Sequence, residues 1–205
     1  MYFYYAPLID SAPHGELNLF IDVYLSKDDN PNYDWYLYVL KIQSVPGKVA
    51  YNSDWETADH DAYHTLDSLD AGVTNWFVDY DPTTTIVSYS TAGYSVTVYL
   101  EANGILGITQ GVAITYSYQY SVPWIAIQDL SDFSAYRIRW IHDFNEQNDD
   151  PLYEPSSNTY LAKPGFVVLA KNVSICDSDL HYCWIGTYAH VIAKYKVTFG
   201  HPVRG

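Results

Sequence analysis

The chain contains few basic residues. Lys and Arg number 10 against 24 Asp and Glu, which gives a formal net charge of −14 at pH 7. This balance argues against nucleic-acid binding, which needs Lys and Arg against phosphate, and against adsorption to anionic lipid. Residues 49–136 include no Lys or Arg at all, yet they carry eleven acids. Salt bridges within this window are therefore impossible, and its carboxylates need another source of positive charge.

Motifs with known catalytic chemistry are also absent. The sequence contains no G-x-S-x-G, no P-loop and no G-x-G-x-x-G. His60 and His64 have the spacing of a zinc pair on one helical turn, but Asp61 follows the first histidine where a zincin has Glu. Glu is scarce, with five against 19 Asp, and only Glu101 lies at a predicted strand end without a paired acid. We therefore predict a non-enzymatic protein, with a glycoside hydrolase using Glu101 as an alternative.

Cysteine and long apolar runs are scarce too. The apolar start of the chain is too short to cross a bilayer and lacks a basic region before it, so no membrane span is predicted. The two cysteines, Cys176 and Cys183, are spaced for a disulfide across a hairpin, although two free thiols remain the alternative. A disulfide and the glycosylation pattern at Asn172 favour an extracellular or cell-surface location.

Alternation of apolar and polar residues dominates the rest of the chain, and turn residues separate the alternating segments. This pattern predicts an all-β protein, an antiparallel β-sandwich or jelly roll of about ten strands, formed by residues 1–205 as a single domain. The predicted strands are Leu17–Leu25, Trp35–Gln43, Asn75–Tyr80, Thr84–Tyr89, Tyr94–Leu100, Val112–Tyr120, Trp124–Gln128, Tyr136–His142, Gly165–Cys176 and Cys183–Phe199.

Two long acidic loops are predicted, at 52–72 and 143–164. Asp in irregular loops supplies the oxygen ligands that calcium prefers, so calcium is the expected cofactor. Other sources of positive charge are Arg137 and Arg139 or another subunit. The candidate metal ligands are Asp28, Asp29, Asp54, Asp59, Asp61, Asp67, Asp70, Asp149 and Asp150.

The amino-terminal segment suggests self-association. The first 26 residues contain no Lys or Arg, and an edge strand without lysine is open to pairing with another chain. Leu17, Leu19, Ile21 and Val23 share one face of a predicted strand, so residues 1–25 are expected to add to a neighbouring subunit. The alternative is that this segment is the first strand of its own sandwich.

Six Trp and 22 Tyr offer a further alternative, a lectin-like module in which aromatic rings stack on sugars. Trp55 and Tyr63 are the candidates because both lie in an acidic segment. In overall style, as an Asp-rich, Lys-poor, Tyr-rich chain, the sequence resembles archaeal extracellular filament and tubule subunits of the cannula or thread type. That resemblance implies a secreted β-sandwich joined to copies of itself by donor strands, with calcium at the interfaces. A self-assembling extracellular structural protein is therefore the expectation.

Overall fold

The structure is a computed structural model that describes residues 2–25, 33–68, 74–83, 86–87, 94–102, 114–122, 126–144, 159–171 and 185–196. Within these ranges the chain is almost entirely strand, with a short α-helix (α1, Gly47–Ala50) and a 3₁₀ helix at Phe133–Ala135. The prediction of an all-β protein is confirmed. None of the helices in the described ranges has the length and apolar character needed to cross a membrane.

Thirteen strands lie in the described residues, and each strand pairing is antiparallel. The strands are β1 (Tyr2–Ser11), β2 (Gly15–Leu25), β3 (Tyr33–Pro46), β4 (Glu56–Ser68), β5 (Thr74–Asp81), β6 (Ile86–Val87), β7 (Tyr94–Ala102), β8 (Ile114–Val122), β9 (Ala126–Asp129), β10 (Arg137–Asp143), β11 (Tyr160–Ala162), β12 (Gly165–Lys171) and β13 (Ile185–Lys196).

These strands form three sheets. Sheet A has the order β1-β2-β3-β12-β5, with β11 also paired to β3, and sheet B has the order β13-β4-β10-β9-β6. The third sheet contains only β7 and β8, which we call the hairpin. Residues 103–113, which join its two strands, are outside the described part of the chain.

Sheet B packs on one face of sheet A. Ser44 of β3 and Thr57 of β4 are joined by a hydrogen bond of 3.1 Å between their buried hydroxyls. The rings of Tyr80 and Trp140 lie 6.1 Å apart across the same interface. Alternation places a buried side chain at every second residue of β10 and from Leu17 to Ile21 in β2, as expected for strands with one face on the core.

The hairpin packs on the opposite face of sheet A. Tyr116 of β8 lies against Tyr24 of β2, with ring centroids 5.9 Å apart. The backbone N–H of Tyr99 in β7 donates a 2.9 Å hydrogen bond to the carboxylate of Asp81 at the end of β5. Sheet A is therefore the middle layer, covered by sheet B on one side and by the hairpin on the other.

The prediction of a long acidic loop at 52–72 is wrong over most of its length. Strand β4 occupies Glu56–Ser68 and lies between β13 and β10, inside sheet B. The pattern concealed this strand because Asp has low β propensity and few of the residues are large and apolar. Of the second predicted loop, residues 160–162 form β11, and residues 145–158 lie outside the described residues.

Candidate functional site

The two strands of the hairpin pair without any shift in register, from Tyr94 opposite Val122 to Ala102 opposite Ile114. Because side chains alternate between faces, this register sorts the residues by polarity. Among the side chains that the structure describes, one face collects Val98, Leu100, Tyr116, Tyr118 and Tyr120. The other face collects Thr97, Tyr99, Ser117 and Gln119. This part of the hairpin is thus amphipathic, and the sequence continues the same alternation toward both ends of the paired strands.

Burial follows this division. On the apolar face Val98 and Leu100 have no exposed surface, and both belong to the core that the hairpin shares with sheet A. On the polar face Thr97 and Gln119 are exposed, and the Gln119 amide donates a 3.1 Å hydrogen bond to the Thr97 hydroxyl. The hairpin therefore presents its apolar face to the protein and its polar face to solvent.

Gly165, the first residue of β12, allows the hairpin to approach sheet A closely. A Cβ atom at this position would lie 3.0 Å from Cδ1 of Leu100 and 3.0 Å from the hydroxyl of Tyr118. The same Tyr118 hydroxyl donates a 2.5 Å hydrogen bond to the backbone carbonyl of Lys163. Because glycine has no side chain, two hairpin residues fit over the start of β12.

Asp81, at the end of β5, makes a polar contact with strand β7 of the hairpin. Its carboxylate accepts hydrogen bonds from the backbone N–H groups of Tyr99, at 2.9 Å, and Thr83, at 3.0 Å. Burial raises the pKa of Asp81, the two backbone hydrogen bonds act in the opposite direction, and nearby Asp79 and Asp129 raise it further. The Asp81 carboxylate thus binds β7 through one backbone group, the N–H of Tyr99.

The hairpin is attached to the rest of the protein mainly by its apolar face. Within the described residues, β7 and β8 form ladder hydrogen bonds only with each other. A two-stranded sheet on its own is marginally stable in water, so the folded hairpin depends on contact with sheet A. Among the described residues, undocking the hairpin would therefore break no ladder hydrogen bond to another strand.

Two acidic residues of β4, Glu56 and Asp61, obtain their positive charge from outside the Lys- and Arg-free window. Arg139 on β10 donates to both carboxylate oxygens of Asp61, at 2.9 and 2.6 Å. Lys48 on α1 forms an ion pair of 3.0 Å with Glu56. Of the alternatives raised by the sequence, the arginine explanation is correct for Asp61.

The other predicted metal ligands are not brought together in the described part of the chain. Asp54 is exposed, and Asp59 and Asp67 lie on β4. The described residues include no group of three or more His, Cys, Asp and Glu suited to hold a metal. Calcium binding remains a prediction. Five of the candidates lie outside the described residues: Asp28, Asp29, Asp70, Asp149 and Asp150.

The helical turn that would unite His60 and His64 does not form, because both residues lie on β4. Four residues of strand separate their Cα atoms by about 13 Å, which is too far for two ligands of one zinc ion. Trp55 is half-buried against His14, with ring centroids 4.4 Å apart, so its ring is already packed within the protein. Tyr63 lies on β4, and Glu101 lies on β7, where it is opposite Thr115 in register.

The residues predicted to mediate assembly lie in β2. Leu17, Leu19 and Ile21 are buried in the core of their own chain, and Val23 packs against that core. Strand β2 pairs with β1 on one side and β3 on the other, so the strand at the edge of sheet A is β1. Exchange of residues 1–25 between subunits remains a prediction, and Cys176 and Cys183 lie outside the described residues.

Comparisons with known proteins give likenesses to solved structures alone. No family model matches the chain, and no curated protein matches it. Among solved structures, it is similar to the Clostridium perfringens NetB toxin in the membrane-inserted form, with 8% sequence identity and a TM-score of 0.36. The match covers 95% of this chain and 93% of that chain. A TM-score of this size does not establish a common fold.

Proposed function

We propose that the hairpin is a stored membrane-inserting element, and that copies of this protein associate on a lipid bilayer and insert their hairpins together. The proposed role is extracellular and non-enzymatic. The observation that supports it is the in-register separation of apolar and polar residues on two faces of β7 and β8. In the folded chain, Val98, Leu100 and Tyr120 of the apolar face are buried in the core shared with sheet A.

The dimensions of the hairpin suit a bilayer. Each strand has nine paired residues, and a tilted strand needs about 9–11 residues to cross the hydrocarbon region. Such strands alternate between residues facing lipid and residues facing water, as the hairpin does. A lone hairpin in lipid would leave backbone groups unpaired at both edges, so neighbouring copies must supply the missing hydrogen bonds. Self-association is thus part of the proposed function.

Charge and aromatic placement favour a particular lipid. Tyr120 lies near the open end of the hairpin on the apolar face, where a tyrosine ring would reach the membrane interface. The hairpin strands carry one acid, Glu101, and no base. With a formal net charge of −14, the protein is expected to insert into zwitterionic vesicles better than into anionic ones.

Ion selectivity in planar bilayers tests which face of the hairpin lines a water-filled path. The wild-type protein should release dye from phosphatidylcholine vesicles and give conductance steps. Gln119→Lys adds a positive charge to the polar face, so it should shift selectivity toward anions. Val49→Lys is the matched control because Val49 is 53% exposed but lies on α1, outside the hairpin.

Both substitutions replace exposed side chains, so both variants should fold with unchanged circular dichroism. Equal selectivity of the two variants would show that Gln119 does not line the path. Absence of both dye release and conductance, at protein concentrations that saturate vesicle binding, would overturn the proposed function.

Assembly into a filament through β1 is a second candidate. Strand β1 is at the edge of sheet A, has no described partner on its outer side, and contains no lysine. Pro7 and a register irregularity between Ala6 and Ile9 interrupt the strand, so Tyr2–Ala6 is the segment best suited to pair with another copy. Calcium would screen repulsion between the acidic subunits in such a polymer.

Electron microscopy with and without calcium tests this candidate. Filaments should form with the wild-type chain and be lost with Tyr4→Lys, since lysine on an edge strand opposes pairing. Deleting residues 1–13 should likewise leave a folded protein that does not polymerise. Filaments formed by both variants would exclude β1 as the assembly edge.

A further inference from the structure

The hydroxyl of Tyr120 is buried at the contact between the hairpin and the rest of the protein. Tyr120 is 5% exposed and belongs to the same core as Val98 and Leu100. Its hydroxyl oxygen has less than 1 Å² of exposed surface and no hydrogen-bond partner among the described residues. A buried hydroxyl that has no partner opposes formation of the contact that buries it, because it loses its hydrogen bonds to water and gains none.

Tyr118, two residues earlier on the same face, provides a direct comparison. It is also packed against the core, but its hydroxyl donates to the Lys163 carbonyl. The two tyrosines are therefore similar in chemistry, strand and face, and they differ in whether docking satisfies the hydroxyl. The Tyr118 hydroxyl favours the docked hairpin, and the Tyr120 hydroxyl opposes it.

We propose that the unsatisfied hydroxyl of Tyr120 weakens the docking of the hairpin and so raises the fraction of molecules in which the hairpin has left sheet A. This inference concerns regulation of the proposed membrane-inserting element and rests on that proposed function. Phenylalanine would fill the same space with the same ring and without the hydroxyl. Compared with phenylalanine, a tyrosine at this position thus makes the docked state less stable and release of the hairpin easier.

The same hydroxyl gains partners once the hairpin is released. Undocked in water, it forms hydrogen bonds with solvent. Tyr120 lies opposite Val96, near the open end of the hairpin, where an inserted strand would meet the membrane interface. A tyrosine ring at that depth places its hydroxyl among head groups and water. Release therefore removes a penalty that exists only in the docked state.

Hydrogen exchange of the full-length protein in solution, without lipid, measures docking directly. Tyr120→Phe should slow amide exchange in β7 and β8 by roughly tenfold, since removing an unsatisfied buried hydroxyl stabilises the docked state. Tyr118→Phe should speed the same amides by roughly fivefold because a hydrogen bond is lost. Amides of β3 and β12 that exchange only by global unfolding serve as the internal reference.

The sign of the Tyr120→Phe effect decides the inference. Slower hairpin exchange, with a smaller change at the reference amides, supports it. Unchanged or faster hairpin exchange overturns it. Dye release from phosphatidylcholine vesicles is scored separately. If Tyr120→Phe slows exchange and neither protein releases dye, the docking role stands and membrane insertion is excluded. If both proteins release dye, Tyr120→Phe should do so more slowly.

Discussion

Arg139 and Asp61 form a two-pronged ion pair across sheet B, joining residues 78 positions apart in the sequence. The guanidinium Nε lies 2.9 Å from one carboxylate oxygen, and a terminal nitrogen lies 2.6 Å from the other. The Asp61 side chain is 12% exposed and that of Arg139 is 32% exposed. A paired, bidentate geometry is what allows a carboxylate to lie inside a sheet.

Removing Arg139 should destabilise the protein because Asp61 would be left buried without its partner. We expect Arg139→Met to lower the free energy of unfolding by roughly 2–3 kcal/mol, less than for a fully buried pair because the arginine is partly exposed. Arg139→Lys should lose less, since it keeps the charge but not the bidentate contact. Urea denaturation measures both changes.

The double variant Arg139→Met with Asp61→Leu is the control for this prediction. It removes both charges together, so it should recover most of the stability lost in Arg139→Met alone. A double variant as unstable as the sum of the two single variants would show that the ion pair itself contributes little and that packing accounts for the loss.

Local alternation of apolar residues was sufficient to predict strands that pack only one face on the core. Strands β2 and β10 were predicted because apolar residues recur at alternate positions of the sequence. The structure buries these positions over Leu17–Ile21 of β2 and along β10. Strand β4 was missed because the groups that neutralise its acids come from elsewhere in the fold. Arg139 of β10 pairs with Asp61, and Lys48 of α1 pairs with Glu56. Such complementarity between distant residues leaves no periodic signal in the segment itself.

The hairpin shows a different limit of sequence reasoning. Both of its strands were predicted from alternation, but the same alternation is typical of any half-buried strand. Its distinguishing feature is that the two patterns match in register and pair only with each other within the described residues. The state of the Tyr120 hydroxyl depends on residues far away in sequence, so no local pattern predicts it.

His142 should make the protein less stable in acid. The residue is fully buried, and burial lowers its pKa from 6.5 to about 3. Between these two values the unfolded chain binds a proton that the folded chain does not. The free energy of unfolding should therefore fall as pH falls through this window, by up to about 1.4 kcal/mol per pH unit from this residue.

His142→Phe isolates this effect, because the carboxylates titrate alike in both proteins. The stability of wild type relative to His142→Phe, measured by urea denaturation from pH 7 to pH 4, should decline steadily below pH 6.5. Parallel profiles for the two proteins would mean that His142 takes up a proton in the folded state as readily as in the unfolded state.

A side chain at Gly47 should destabilise the full chain, because the turn between β1 and β2 lies against the start of α1. A Cβ atom on Gly47 would clash with the Pro13 carbonyl oxygen and lie 2.7 Å from that of His14. Neither backbone group can move without disturbing the turn. We expect Gly47→Ala to lower the thermal midpoint by more than about 5 °C, a drop beyond what exposed substitutions cause. An unchanged midpoint would show that this turn can shift freely.

Gly165→Ala should loosen the hairpin while leaving the sandwich intact. The added Cβ would meet Leu100 and Tyr118 of the hairpin at 3.0 Å and the Tyr38 carbonyl at 3.1 Å. The carbonyl belongs to β3 in the middle of sheet A, so the hairpin residues are the ones that must move. Amide exchange in β7 and β8 should therefore accelerate, whereas exchange of the slowest amides in β3 should stay close to wild type.

Gly47→Ala, by contrast, should accelerate exchange throughout the described residues because it acts on the fold and not on hairpin docking. If Gly165→Ala accelerated β3 and the hairpin equally, the hairpin and sandwich would open as one unit, and storage of a separable hairpin would be refuted.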